Sequence, residues 1–192
     1  MKPGRLRSLS TLFAWLLPLL LAAPLCAQEI EVSSLNVNVR GSVYELNLRA
    51  SFPADDKLRD ALDAGATINV RMEAVIDKKQ RYWFDQRLVD LTLRRALSWN
   101  ALSQRYVLLE MNQPGPRQQQ TFASLEEALV AAGTVENWPV EFTQPRDPDA
   151  NYEIGVQAGM RIGSMSKTLR AATFWTRYWN HRSEWKSWPL PR

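Results

Sequence analysis

Past residue 27 the sequence has no cysteine at all, and along its 192 residues it has a single histidine, His181. Cys26 stands just before the expected end of an N-terminal leader, so the exported chain keeps no disulfide and no thiol chemistry. One histidine and no retained cysteine remove the usual ligands of zinc, copper and haem, and no cofactor is expected. The eight glycines are scattered, and neither a phosphate-cradling GxxxxGK(S/T) loop nor a GxSxG nucleophile elbow occurs. A Ser-His-Asp arrangement would have to recruit His181, which sits among Trp and Arg and is expected at a surface or interface.

What is present begins with that leader. Lys2, Arg5 and Arg7 precede an almost wholly apolar stretch from Leu9 to Ala23, and Leu25-Cys26-Ala27 places a cut after Ala27. The apolar stretch is shorter than the roughly 20 residues needed to cross a bilayer and contains Pro18. A cleaved signal peptide and a periplasmic protein are therefore expected, with an uncleaved inner-membrane anchor as the alternative. A lipidated Cys26 is the weakest reading, because Leu25 occupies a place where a small residue is wanted. The remaining 165 residues, 28–192, suit one domain, large enough to bury roughly two thirds of its unfolded surface without disulfides.

Charge shifts with the leader. The formal net charge of +4 falls to +1, since three cations leave and 21 basic residues face 20 acidic ones. From Arg161 to Arg192 seven Lys/Arg accompany one acid, Glu184, whereas residues 28–160 carry 14 against 19. Export and this mild balance make nucleic acid an unexpected partner.

Alternation of apolar and polar residues dominates the body and predicts strands with one face in a core. Leu35, Val37 and Val39, then Tyr44, Leu46, Leu48, Ala50 and Phe52 flank a two-residue turn at Gly41-Ser42. Ile68 to Ile76, a longer run from Arg81 to Leu97, Tyr106 to Met111, and Tyr152 to Met160 continue the strands, at least six in all. Two short helices interrupt them. Asp55 or Asp56 starts one that Gly65 stops; Ser124, with Glu127 three residues on, starts another that Gly133 ends. LRDALDAGATI and LEEALVAAGTV line up 67 positions apart, a match that a duplicated half and the small vocabulary of amphipathic helices both explain. Loops are expected at Gln113 to Gln120 and Gln144 to Asp149. The expected fold is α+β, mainly β: an antiparallel β-sandwich-like domain with two short helices and an aromatic, basic C-terminal segment (residues 162–192).

Two features invite a functional reading. The acidic doublets Asp55/Asp56 and Glu126/Glu127 could serve a carboxylate-based hydrolase, but both fall in a first helical turn, where the dipole stabilises negative charge. The tail interleaves Trp175, Trp179, Trp185 and Trp188 with Arg170, Arg177, Arg182 and Lys186. Cations beside aromatics suit an anionic membrane surface or a glycan, through ion pairing with interfacial insertion or stacking. The competing account has the tryptophans closing the core while the charges face water.

The segments RYWFDQRL, LSQRYVL, TFASLEEALVAAGTVENWPV, YEIGVQAGMRI, LRAATFW and SEWKSWPL, in that order, give the chain its kinship. It resembles a family of exported proteobacterial proteins catalogued as a domain of unknown function. Members of that family typically carry a Tyr-His pair where Trp99-Asn100 stand here, and prolines near Lys167 to Leu169 that this chain lacks. The resemblance implies an envelope location, and a genomic setting often near a nitrogen-regulation sensor kinase. With no catalytic constellation in view, the expectation is a non-enzymatic binding or accessory module acting on an unknown envelope protein. Tail docking on membrane or glycan comes second and hydrolysis third. Mass spectrometry of the exported protein is expected to find Gln28 at the N-terminus; an intact Met1 would contradict the cleavage.

Overall fold

The structure is a computed structural model describing residues 29–40, 43–111, 118–142, 146–164 and 180–191. The leader, the Gly41-Ser42 turn and, in the tail, Arg170, Trp175, Arg177 and Trp179 lie outside the described residues. Among the described residues no helix is long and apolar enough to cross a membrane.

The alternating segments form two antiparallel sheets. Strands β1 (Glu31–Arg40) and β2 (Val43–Ser51) pair as the expected hairpin, with Leu35 opposite Leu48 and Val37 opposite Leu46. Strand β7 (Thr134–Val140) joins the other side of β2, giving the order β1-β2-β7. The larger sheet is built on β3 (Ile68–Lys78), β4 (Gln86–Asn100) and β8 (Tyr152–Ile162). Strands β5 (Arg105–Glu110) and β6 (Gln119–Phe122) extend it beyond β4, and β9 (Asn180–Arg182) and β10 (Lys186–Pro189) share the outer edge of β8.

Period-two patterning sends Ile68, Val70, Met72, Ala74 and Ile76 of β3 to one face, beside Ile154, Val156, Ala158 and Met160 of β8. Those side chains and Val32, Leu46 and Leu48 of the smaller sheet belong to one core cluster. Each fully buried side chain of this kind stabilises the fold by about 1.5–3 kcal/mol relative to exposure. The fold is thus α+β and mainly β, with sandwich-like sheets and two helices, as the alternation implies.

Both helices cross between the sheets. Helix α1 (Asp56–Asp63) leads from β2 to β3, and α2 (Leu125–Gly133) returns from β6 to β7. Asp55 caps α1 by accepting from the Leu58 N–H at 2.7 Å. Gly65, at φ 84°, ends it with the Gly65 N–H on Leu62 O and the Ala66 N–H on Ala61 O, both 2.9 Å. Ser124 Oγ accepts from the Glu127 N–H at 3.2 Å to start α2. The helices touch where Arg59 Nη2 meets Glu126 Oε1 at 2.9 Å.

Three expectations change. The run from Arg81 is not strand throughout: β4 starts at Gln86, and Arg81 to Asp85 form an exposed loop whose aromatics mimic strand composition. The expected loop Gln113 to Gln120 ends early, because Gln119 and Gln120 pair in β6 with Leu109 and Leu108. A solvated edge strand needs no apolar alternation, so its glutamines gave no sign of it. The final segment, expected to be irregular in period, forms two edge strands separated by a break. There Ser183 is buried, its Oγ accepting from the Ala158 N–H at 3.0 Å and donating to Glu184 O at 2.8 Å.

Gly133 is required by a close approach, not by its backbone angle. A Cβ at this position would lie 2.0 Å from the Ala50 carbonyl oxygen of β2. Gly133→Ala should therefore cost about 3 kcal/mol and lower Tm by about 6–12 °C, measured by thermal unfolding. An unchanged Tm would mean that α2 does not pack this closely on β2.

Candidate functional site: an acidic cavity between two free strand edges

Two apolar runs each carry one charge on their inward face. In β4 the series Val89, Leu91, Leu93, Arg95, Leu97 puts a guanidinium at a core position, and in β5 Glu110 follows Tyr106 and Leu108. Register places Arg95 directly opposite Glu110, with Nε 3.4 Å from Oε2. Both side chains are nearly buried, 13% and 10% exposed. Burial pulls the Arg95 pKa below its ordinary value, against the opposing pull of Glu110. Arg95 Nη1 donates toward the carbonyls of Ala131 (2.8 Å), Ala132 (3.1 Å) and Thr134 (2.6 Å). These carbonyls lie where α2 passes into β7, and the Ala131 carbonyl also accepts the Thr134 backbone N–H. The second carboxylate oxygen, Glu110 Oε1, is buried with no hydrogen-bond partner.

This pair lines a cavity of 1020 Å³. Among the described residues strands β6 and β7 each pair on one side only, and α2 links them, so the cavity opens between their edges. Leu93, Phe122, Val130, Val135, Trp138 and Pro139 supply its apolar lining. Glu110, Glu126, Glu127 and Glu136 give it four carboxylates against one cation, Arg95. The Glu126 carboxyl, bonded to its own backbone N–H and to Arg59, is held below the usual carboxylate range. A β-bulge shapes the rim. Register shifts between Leu46 and Leu48, Asn137 takes a φ of 51°, and its N–H donates to Asn47 Oδ1 at 3.0 Å. Pro139 on the same edge removes a donor and discourages strand addition there.

The tail residues that the sequence singled out are divided between faces where they are described. Arg182 is exposed and stands opposite Gly159, lining a small 80 Å³ pocket with Asn69, Arg71, Arg161 and Asn180. Trp185, 47% exposed, packs over Gly155 on that same outer face. Lys186 and Trp188 pair opposite Val156 and Ile154, on the core side. Lys186 Nζ meets Glu31 Oε1 at 2.6 Å and Val32 O at 2.9 Å, and Trp188 packs half-buried against the core. The hydrogen bond from Lys186 holds the Glu31 carboxyl below its ordinary range. Of the acidic doublets, Asp55 is a helix cap, whereas Glu126 and Glu127 face the cavity. Among the described residues no group of three or more His, Cys, Asp or Glu could hold a metal ion.

Sequence reasoning passed over Arg95 and Glu110, although a charge within a period-two apolar series is a visible signal. It also passed over Tyr82, Trp83 and Phe84, which are 88%, 77% and 86% exposed. Three adjacent aromatics break alternation, and that break was their signal.

Arg95→Met would leave Glu110 buried without its counter-ion and remove three bonds to carbonyls at the α2–β7 junction, so a loss of about 3–5 kcal/mol is expected in denaturant unfolding. Glu110→Gln keeps the carbonyl bonds and should cost clearly less. The reverse order of cost would show that the carboxylate, not the guanidinium, holds the two sheets together.

No curated protein and no solved structure matches the chain. The family model described as a domain of unknown function, DUF4390, matches residues 27–189, nearly everything after the leader, and the chain belongs to that family.

Proposed function

We propose that this chain is a non-enzymatic binding module of the cell envelope, exported by its leader, whose acidic cavity receives a cationic, apolar-bodied segment of a partner protein. The observation that carries this reading is the lining of the cavity, in which apolar walls from Leu93, Phe122, Val130 and Trp138 carry four carboxylates against one cation. A Lys or Arg from a bound segment lays its aliphatic stem on Leu93, Phe122 and Trp138, and Glu127 and Glu136 favour its charge. At 1020 Å³ the cavity stands at the upper end of the volumes that hold small ligands, which suits several side chains of a polypeptide. The family match beginning at Ala27, beside the expected leader cut, supports the exported location.

A second reading, docking of the C-terminal segment on an anionic membrane or glycan, draws support from the exposure of Arg182 and Trp185.

A photo-crosslinking side chain at Val130, which is 68% exposed at the cavity, should capture one envelope protein in cells. The same group at Leu102, 99% exposed in the β4–β5 turn, should not. Glu136→Lys should cut the Val130 adduct at least tenfold. Equal adducts at both positions, or indifference to Glu136→Lys, would overturn the cavity as the recognition site.

A further inference from the structure

The β3–β4 hairpin ends in an apolar tip for which the cavity has no use. Pairing runs to Lys78 opposite Gln86, and the intervening loop carries Tyr82, Trp83 and Phe84 in succession. All three are at least 77% exposed, so none turns back onto the domain. Soluble proteins rarely present contiguous large aromatics to water unless something covers them.

The loop is held open from its base. Lys79 Nζ bridges Asp85 Oδ2 (2.8 Å) and Glu153 Oε2 (3.1 Å), Lys78 Nζ meets Asp147 Oδ2 (2.9 Å), and Arg87 Nε meets Asp77 Oδ1 (3.1 Å). The Gln80 N–H adds a 3.3 Å bond to Asp85 Oδ1. These bonds form a collar of paired charges directly behind the aromatics. Beyond the collar, residues 80–84 include no acid. Their single charge, Arg81, has no ion pair among the described residues and lies 5.8 Å from the Tyr82 ring centroid.

We propose that Tyr82, Trp83 and Phe84 are a membrane-docking tip that enters the interface of a phospholipid bilayer, with Arg81 and the charged collar at headgroup level. Three observations favour lipid over a protein groove. The three side chains stand in water at a hairpin end and line neither cavity described above. Adjacent loop aromatics have no shared face to match a shaped pocket, whereas a fluid interface accepts them all. Trp and Tyr are the residues enriched at that interface, and Arg81, which has no ion pair among the described residues, complements anionic headgroups. The proposal is independent of the cavity, which opens between β6 and β7.

The test uses the full chain with Cys26→Ser and Gln80→Cys, labelled at position 80 with an environment-sensitive fluorophore. Vesicles of phosphatidylethanolamine and phosphatidylglycerol, three to one, should shift its emission to the blue. A label at Leu102→Cys, at the far end of the 15-residue β4, should stay in water and so controls for attachment through the leader. Combining Gln80→Cys with Tyr82→Ser, Trp83→Ser and Phe84→Ser should abolish the shift while leaving the melting temperature unchanged. An unshifted probe at position 80, equal shifts at 80 and 102, or a shift persisting in the serine variant would overturn the proposal. So would a shift seen only with membranes containing envelope proteins, which would assign the tip to a protein partner.

Discussion

Arg95 is the junction on which both sheets depend. It starts from β4 of the large sheet, balances Glu110 of β5, and ends on carbonyls of α2 and of Thr134, the first residue of the small sheet's β7. Helix α2 passes into β7 with no intervening turn, which brings carbonyls of helix and strand within reach of one cation. One planar cation with several donors can satisfy carbonyls from helix and strand together, which an ammonium on a flexible stem does less well. Its charge also makes a buried carboxylate tolerable beside the cavity. Structure and site therefore share a single group: the contact that closes the sandwich is the one that leaves Glu110 with an oxygen to spare.

Much of the fold is legible in the alternation. The first hairpin, β3 and β8 each bury one face, and a one-residue slip would turn that face to water, so sequence and register specify each other. The helix ends are legible for a similar reason, since Asp55, Ser124 and Gly65 act within a few residues of their own positions. What escaped depends on distant neighbours. Strand β6 is polar because it is an edge, and only its pairing with β5 makes it a strand. The aromatic loop after Lys79 has β-like composition, yet its place at a hairpin end and the ion pairs at its base decide otherwise. Of the tail tryptophans, the two that are described fall on opposite faces, Trp188 toward the core and Trp185 outside, because an odd three residues separate them along extended chain. The cavity was hidden by the same principle, since its walls come from β4, β5, α2 and β7.

The two helices perform opposite crossings with related sequences. Helix α1 carries the chain from the small sheet to the large one and α2 carries it back, and they meet through Arg59 and Glu126, which are 67 positions apart. That offset is the one at which the two helical segments align. Reciprocal crossings leave β6 and β7 as the ends of different sheets, facing each other without pairing. The opening of the cavity is in this sense a product of connectivity, and the residues around it need only keep it from filling.

The clamp between Lys186 and Glu31 joins groups 155 residues apart, and β7 reaches β2 across about 90. Loop-closure entropy must be met before such contacts reward the chain, so domains rich in them fold slowly. The first strand cannot gain its last partner until the final strand exists. A nascent chain lacking residues 183–192 would hold β8 with its edge at Glu153–Val156 uncovered and β1 without its tether, and native closure consequently waits for β10.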